Sequence, residues 1–216
     1  MKIAVLSDIH ANLVALEAVV TDARHRGATR FVCLGDIVGY GPRPAECVQS
    51  IRRLDARTVI GNHDAWSVRP VAWSRLAVSP TAIEGLRHAR AQLSPHERAW
   101  LRQLPFIAHL ENFALVHGSF HRPERWPCLA SAADARSSFR QQPSRIAFFG
   151  HTHTPGFWEE NGGRFIEPPP GRPIRLAAHN RYALNPGSVG NPHPGPCRRS
   201  ARPIPALRHR TPRRDF

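Results

Sequence analysis

The chain has 216 residues, 41% of them hydrophobic, which is enough for one domain with a substantial core. No apolar run approaches the roughly 20 residues of a membrane helix, and MKIAVLSDIH opens straight into a strand-like run instead of a cleavable signal, so the expectation is a cytoplasmic protein with no membrane partner. A formal net charge of +14 raises a nucleic-acid partner, yet Lys2 is the sole lysine among 30 basic residues, as in a GC-rich genome, and seven arginines against one aspartate crowd into residues 198–216.

Ile3–Leu6 reads as a buried strand, after which Leu13, Leu16, Val19, Val20 and Ala23 recur at helical spacing until Gly27 stops the helix. Residues 31–34 form the second strand, a helix follows over about 44–54, and residues 58–60 make a third strand ending at Gly61. Residues 65–105 are mostly helical, with Ser94, Pro95 and Glu97 forming a capping box ahead of Trp100, Leu101 and Leu104. Residues 106–110 and 113–116 flank Glu111 and Asn112 as a hairpin, residues 145–149 are a strand running into Gly150, and short strand-like pieces alternate with Gly and Pro turns over 156–184. This alternation of strand and helix signals an α/β layered fold over residues 1–190, with a helical insertion at about 65–105. Residues 191–216, rich in Pro and Arg and without apolar periodicity, are expected to form a tail outside that fold. Cys33, Cys47, Cys128 and Cys197 include no CxxC pair, which argues against a disulfide framework and against a thiolate zinc site.

Five polar clusters follow the ends of apolar strands: Asp8-Ile9-His10, Gly35-Asp36, Gly61-Asn62-His63-Asp64, His117-Gly118 and Gly150-His151-Thr152-His153. In an open α/β sheet, ligands bind outside the carboxyl ends of the strands, so clusters distant in sequence converge there. Imidazoles and carboxylates with one amide and no thiolate suit a dinuclear site for first-row transition metals. Two such ions about 3.5 to 4 Å apart can hold a bridging hydroxide, orient it for in-line attack on phosphorus and neutralise charge on the phosphoryl oxygens. Asp36, alone after its strand between a glycine and a glycine-containing loop, is the candidate bridging carboxylate.

In this order, DxH, GDxxG, GNHD, a lone HG and GHxH resemble the calcineurin-like metallophosphoesterases. SDIHANLVALEAV, LGDIVGYGPRP, GNHDA, LVHGS, FGHTHTP and LNPGSVG are similar to the small bacterial and archaeal phosphodiesterase-like branch of that superfamily, over roughly residues 1–190. The resemblance implies a four-layer sandwich of two mixed β-sheets flanked by helices. It also implies hydrolysis of phosphate esters, by a phosphodiesterase or phosphatase, with two divalent metal ions: Mn²⁺ first, with Fe, Zn, Ni or Co as alternatives. Asp8, His10 and His153 would bind one ion, Asn62, His117 and His151 the other, and Asp36 both. His63 would be no ligand but face the substrate, stabilise the pentacovalent state and protonate the leaving oxygen, with Asp64 holding its ring. The expected substrate is a small phosphorylated compound or nucleotide. A non-catalytic binding scaffold of the same fold and a nuclease or nucleic-acid-binding protein are the competing readings; the complete ligand set and the intact His63 weigh against the scaffold.

Outside the motifs, His25, His88, His96, His109, His121, His179, His193 and His209 are expected to be inert, and Trp66, Trp73 and Trp100 to pack in the core. Tyr40, in the Gly39-Tyr40-Gly41-Pro42 loop, either lines the substrate entrance or packs; Arg122 and Arg125 are expected on a solvated face. Asn185-Pro186-Gly187-Ser188 reads as a structural turn. In the branch resembled here a strand-forming segment follows NPGSVG, whereas this chain continues NPHPGPCRRSARPIPALRHRTPRRDF, whose prolines exclude a central strand. Out-of-frame reading of a GC-rich gene near codon 190 is the expectation, and a basic extension for an anionic partner is the alternative.

Overall fold

The computed structural model describes residues 1–76, 78–169, 171 and 173–192, so the expectations for residues 193–216 lie outside it. Strand alternation sets the layers. β1 (Ile3–Leu6), β2 (Arg30–Cys33) and β3 (Arg57–Thr58) pair in parallel in that order. Successive strand side chains point to opposite faces. Ala4, Leu6, Phe31 and Cys33 therefore pack on one face, against α1 (Leu13–His25) and α2 (Pro44–Arg53), through Leu16, Val20, Cys47, Val48 and Ile51. Ile3, Val5 and Val32 take the opposite face.

The second sheet contains β4 (Ile107–His109), β5 (Phe113–Val116), β6 (Ile146–Phe148), β7 (Gly156–Glu159), β8 (Phe165–Ile166) and β9 (Tyr182–Asn185), in the order β4-β5-β6-β9-β7-β8. It is mixed: β5, β6 and β9 run parallel, while β4, β7 and β8 pair antiparallel with their neighbours. The same period-2 argument divides its side chains. Ala108, Phe113, Leu115 and Phe148 meet the inner face of the first sheet, whereas Ala114, Val116, Ala147 and Ala183 turn outward to Ala135 and Phe139 of α6 (Ala132–Phe139). Helices, sheet, sheet and helix stack as four layers. The helix α6 is absent from the sequence reading because its eight residues, AADARSSF, carry too few apolar positions for a helical period.

The insertion consists of α3 (Asn62–Val68), a 3₁₀ turn (Trp73–Arg75), α4 (Pro80–Gln92) and α5 (Pro95–Gln103). At the start of α5 the capping box forms as expected: the Ser94 amide donates to Glu97 Oε2 at 2.8 Å and the Glu97 amide to Ser94 Oγ at 3.3 Å. The carbonyls at the end of α3 lack helical partners. Arg90 supplies them, donating to Trp66, Ser67 and Arg69 at 2.7, 3.1 and 2.6 Å, and Arg102 donates to Val68 at 3.0 Å. Two long helices thus hold a seven-residue one. Cys33 and Cys47 are buried free thiols. Among the described residues no helix is long and apolar enough to cross a membrane.

Candidate metal centre

The loops after β1, β2, β5 and β6 and the first turn of α3 meet at the carboxyl ends of the strands, and backbone hydrogen bonds lock them together. The Asp8, His10 and Ala11 amides donate to Gly35, Asp36 and Ile37 at 3.1, 2.9 and 2.8 Å, and the Gly150 amide donates to His117 at 2.8 Å. Asp8, His10, Asp36, His151 and His153 all adopt left-handed backbone, with φ of 53, 50, 52, 67 and 59°. Such a conformation costs a non-glycine residue on the order of 1–3 kcal/mol, so five of them in one place mark a site that the surrounding fold holds under strain. At Gly61 a Cβ would collide with the Asp36 carboxylate, so only glycine lets α3 start this close to it.

The structure brings every expected site residue into one cluster, buried except for half-buried His151. Donor atoms of Asp8, His10 and His153 lie within 4.8 Å of one another, and so do those of Asp36, His117 and His151. Asn62 joins the second group, with its Oδ1 3.0 Å from His117 Nε2. Asp36 stands between the groups: its Oδ2 is 3.3 Å from His117 Nε2 and 3.9 Å from His10 Nε2, while its Oδ1 accepts from the His63 amide at 2.8 Å. In the first group His10 Nε2 and His153 Nε2 are 3.0 Å apart, and His153 Nε2 is 3.4 Å from Asp8 Oδ1.

The outer ring nitrogens decide what this cluster can hold. Nδ1 faces a backbone carbonyl in His117 (Leu34, 2.7 Å), His153 (Asn191, 2.6 Å) and His10 (Val38, 3.4 Å). A carbonyl only accepts, so in the neutral ring Nδ1 carries the hydrogen and Nε2 turns its lone pair inward, the arrangement of a metal-liganding histidine. Two inward lone pairs 3.0 Å apart, beside two buried carboxylates, fit a shared cation.

Protonation follows the same demand for positive charge. Burial raises the Asp8 carboxyl, but a hydrogen bond from His153 and the nearby His117 outweigh it and bring the pKa to about 2; Asp36 is likewise held well below the carboxylate range, chiefly by His117 against the effect of burial. Burial lowers His117, yet Asp36 and Asp8 carry it to about 9. Burial wins at His10, His151 and His63, which fall to about 4, 4 and 3.

One expected contact is absent. Asp64 does not hold the His63 ring: its Oδ1 accepts from the Ile37 and Val38 amides at 2.9 and 3.2 Å, and its Oδ2 from the Gly61 amide at 3.1 Å. The reason is its place at the third position of α3, from which a carboxylate folds back onto the N-cap amide. Asp64 instead ties the start of α3 to the loop after Asp36, and burial, then the Asp36 charge, raise its pKa to about 7. His63 stacks on Tyr40 at 5.0 Å, meets His10 edge-on at 4.8 Å, and has a buried Nδ1 with no hydrogen-bond partner among the described residues. Trp66 packs on it at 5.6 Å.

The NPGS turn is structural as expected, and it serves this cluster. Asn185 donates to the Gly150 carbonyl and to Thr152 Oγ1, each at 2.9 Å, and Ser188 Oγ donates to the Asp8 carbonyl at 2.8 Å. The Asn191 carbonyl on His153 was missed because a backbone atom leaves no residue-type signal.

Residues 1–201 match the family model of the calcineurin-like phosphoesterase superfamily domain. The chain is 34% identical over 212 residues to an uncharacterized protein of Methanocaldococcus jannaschii, covering 89% of this chain and 78% of that one. It superposes on the crystal structure of a metallophosphoesterase from Sphaerobacter thermophilus with a TM-score of 0.77 and 36% identity, over 89% of this chain and 78% of the other. A hypothetical protein from Pyrococcus horikoshii OT3 shares the fold at 19% identity and a TM-score of 0.64, over 87% and 77% of the two chains.

Proposed function

The chain belongs to the calcineurin-like phosphoesterase superfamily, and from that premise we propose that it is a metal-dependent phosphodiesterase or phosphatase acting on a small phosphorylated compound or nucleotide. The observation that carries this reading is the set of imidazoles whose outer nitrogens are fixed by backbone carbonyls while their Nε2 atoms converge on Asp8 and Asp36. Asp8, His10 and His153 would hold one divalent cation and Asn62, His117 and His151 the other, with Asp36 shared. Held by these residues, two divalent cations, Mn²⁺ first, would supply positive charge to make water a nucleophile near neutral pH and to offset charge on the phosphoryl oxygens.

The chain's own residues do the rest. Asp36 is aimed by the His63 amide, so its carboxylate cannot swing away from the cluster. His63 is the imidazole assigned to the leaving oxygen: Gly39 leaves room for its ring beside His10 and, because burial lowers its pKa to about 3, it would act there as a neutral hydrogen-bond donor. Burial of the cluster strengthens each of these interactions by excluding water.

The test is turnover of bis(p-nitrophenyl) phosphate by metal-stripped protein, with Mn²⁺, Zn²⁺, Fe²⁺, Ni²⁺ and Co²⁺ restored one at a time and metal content measured in parallel. Turnover should require added metal, be highest with Mn²⁺, and coincide with two ions per chain. Undiminished turnover in the presence of a chelator would refute the proposal.

A further inference from the structure

The insertion also builds a wall beside the cluster. Gly85 of α4 lies so close to the Tyr40 backbone that any side chain there would collide with it, and His88 Nε2 donates to the Pro42 carbonyl at 3.0 Å. Between α4 and the loop after Asp36 lies an open groove of about 270 Å³, lined by Tyr40, Pro42, Thr81, Glu84 and His88 among others. Thr81, Glu84, Gly85 and His88 follow the i, i+3, i+4, i+7 spacing of one helix face, so the groove wall is a single stripe of α4. Tyr40 separates this groove from the cluster, since its ring meets His10 at 4.8 Å and stacks on His63 at 5.0 Å. An ester substituent that passes Tyr40 on leaving the cluster would enter this groove.

The polar atoms of the groove define what that substituent is. Glu84 is exposed and makes no ion pair among the described residues. Because the Pro42 carbonyl can only accept, His88 carries its hydrogen on Nε2, and the neutral ring keeps an acceptor lone pair at Nδ1. A second anionic group would be repelled by Glu84, and a lining that is mostly apolar with a few acceptors suits the face of a ring that carries hydroxyls. Neighbouring hydroxyls satisfy both acceptors at once, since residues four apart on a helix hold their Cβ atoms about 5–6 Å from each other. We propose that this groove selects the alcohol part of the ester, and that the part it takes carries a vicinal diol, as a ribonucleoside does, with Glu84 accepting from the diol and Tyr40 dividing it from the reacting phosphorus.

This rests on the phosphoesterase reading, and the experiment separates the two. The full chain with Mn²⁺ is assayed on the p-nitrophenyl esters of adenosine 5′-phosphate and 2′-deoxyadenosine 5′-phosphate, with bis(p-nitrophenyl) phosphate as the diol-free substrate. A hydrogen bond to a charged acceptor predicts a kcat/KM about tenfold higher for the ribo ester, and Glu84→Ala should bring the ratio of the two esters to about one, through KM. Equal kcat/KM for the two esters in the parent chain, with bis(p-nitrophenyl) phosphate turned over, overturns the groove and leaves the phosphoesterase standing. No turnover of these diesters or of p-nitrophenyl phosphate removes the phosphoesterase reading instead. The groove is then judged by saturation-transfer NMR of adenosine against 2′-deoxyadenosine on the metal-free chain: a stronger adenosine signal lost in Glu84→Ala supports it, and equal signals overturn it.

Discussion

Asp64 offers the sharpest test of how the cluster is held. Its carboxylate accepts three backbone amides, from Ile37, Val38 and Gly61, and all of it is buried. Asp64→Ala leaves three donors without an acceptor, at about 1–3 kcal/mol each, so the loss should be about 3–9 kcal/mol. Against a domain stability of about 5–15 kcal/mol, that puts the variant close to unfolding. Asp64→Asn is the more informative change. Its remaining oxygen can still accept from Ile37 and Val38, but its amide then faces the Gly61 amide, donor against donor, and one unmet group should cost about 1–3 kcal/mol. Urea unfolding of the metal-free chain gives the stability, and hydrolysis of bis(p-nitrophenyl) phosphate gives the function. Both should fall together, with turnover recovering at lower temperature where more of the chain is folded. An Asp64→Asn variant that keeps its full stability and loses turnover would refute this account and restore the carboxylate to the His63 ring.

Three further outcomes follow from the geometry. Asp36→Ala should lose both metal ions by elemental analysis, whereas Asn62→Ala should weaken mainly the one shared with His117; two ions retained in Asp36→Ala would refute the shared carboxylate. His63→Ala should keep its metal and lose most turnover, with a larger loss for alkyl than for nitrophenyl esters, because a hydrogen bond to the departing oxygen matters most when that oxygen is basic; metal loss in this variant would place His63 among the ligands. Burial raises the Glu97 carboxyl, but hydrogen bonds from Gln49 and Ser94 outweigh it and hold its pKa below the usual value. Its stabilisation is therefore full above the unfolded glutamate pKa and lost as pH falls through the lower folded value. Glu97→Gln should cost about 1 kcal/mol at pH 7 and flatten that acid limb in a pH series of urea melts.

The sequence by itself determined the elements other than α6, and the residue types of the cluster, because both are local properties. The apolar run of β1, the helical period of α1, the capping box of Ser94 and Glu97, and the hairpin around Glu111 and Asn112 each need only a few neighbouring residues to be recognised. The polar residues after β1, β2, β5 and β6 stood out for the same reason. Only the tertiary structure decided how they meet. The order β4-β5-β6-β9-β7-β8 depends on which strands find one another across long connections, and no local period encodes it. The Asp64 carboxylate was read toward its neighbour His63 because they are adjacent in sequence. The first turn of α3 sends the carboxylate back to Gly61 and across to Ile37 and Val38 instead. His153 is oriented by the carbonyl of Asn191, 38 residues away, and α4 closes on Tyr40 only because Gly85 has no side chain. Contacts made by backbone atoms, or permitted by the absence of a side chain, exist only once the chain has folded.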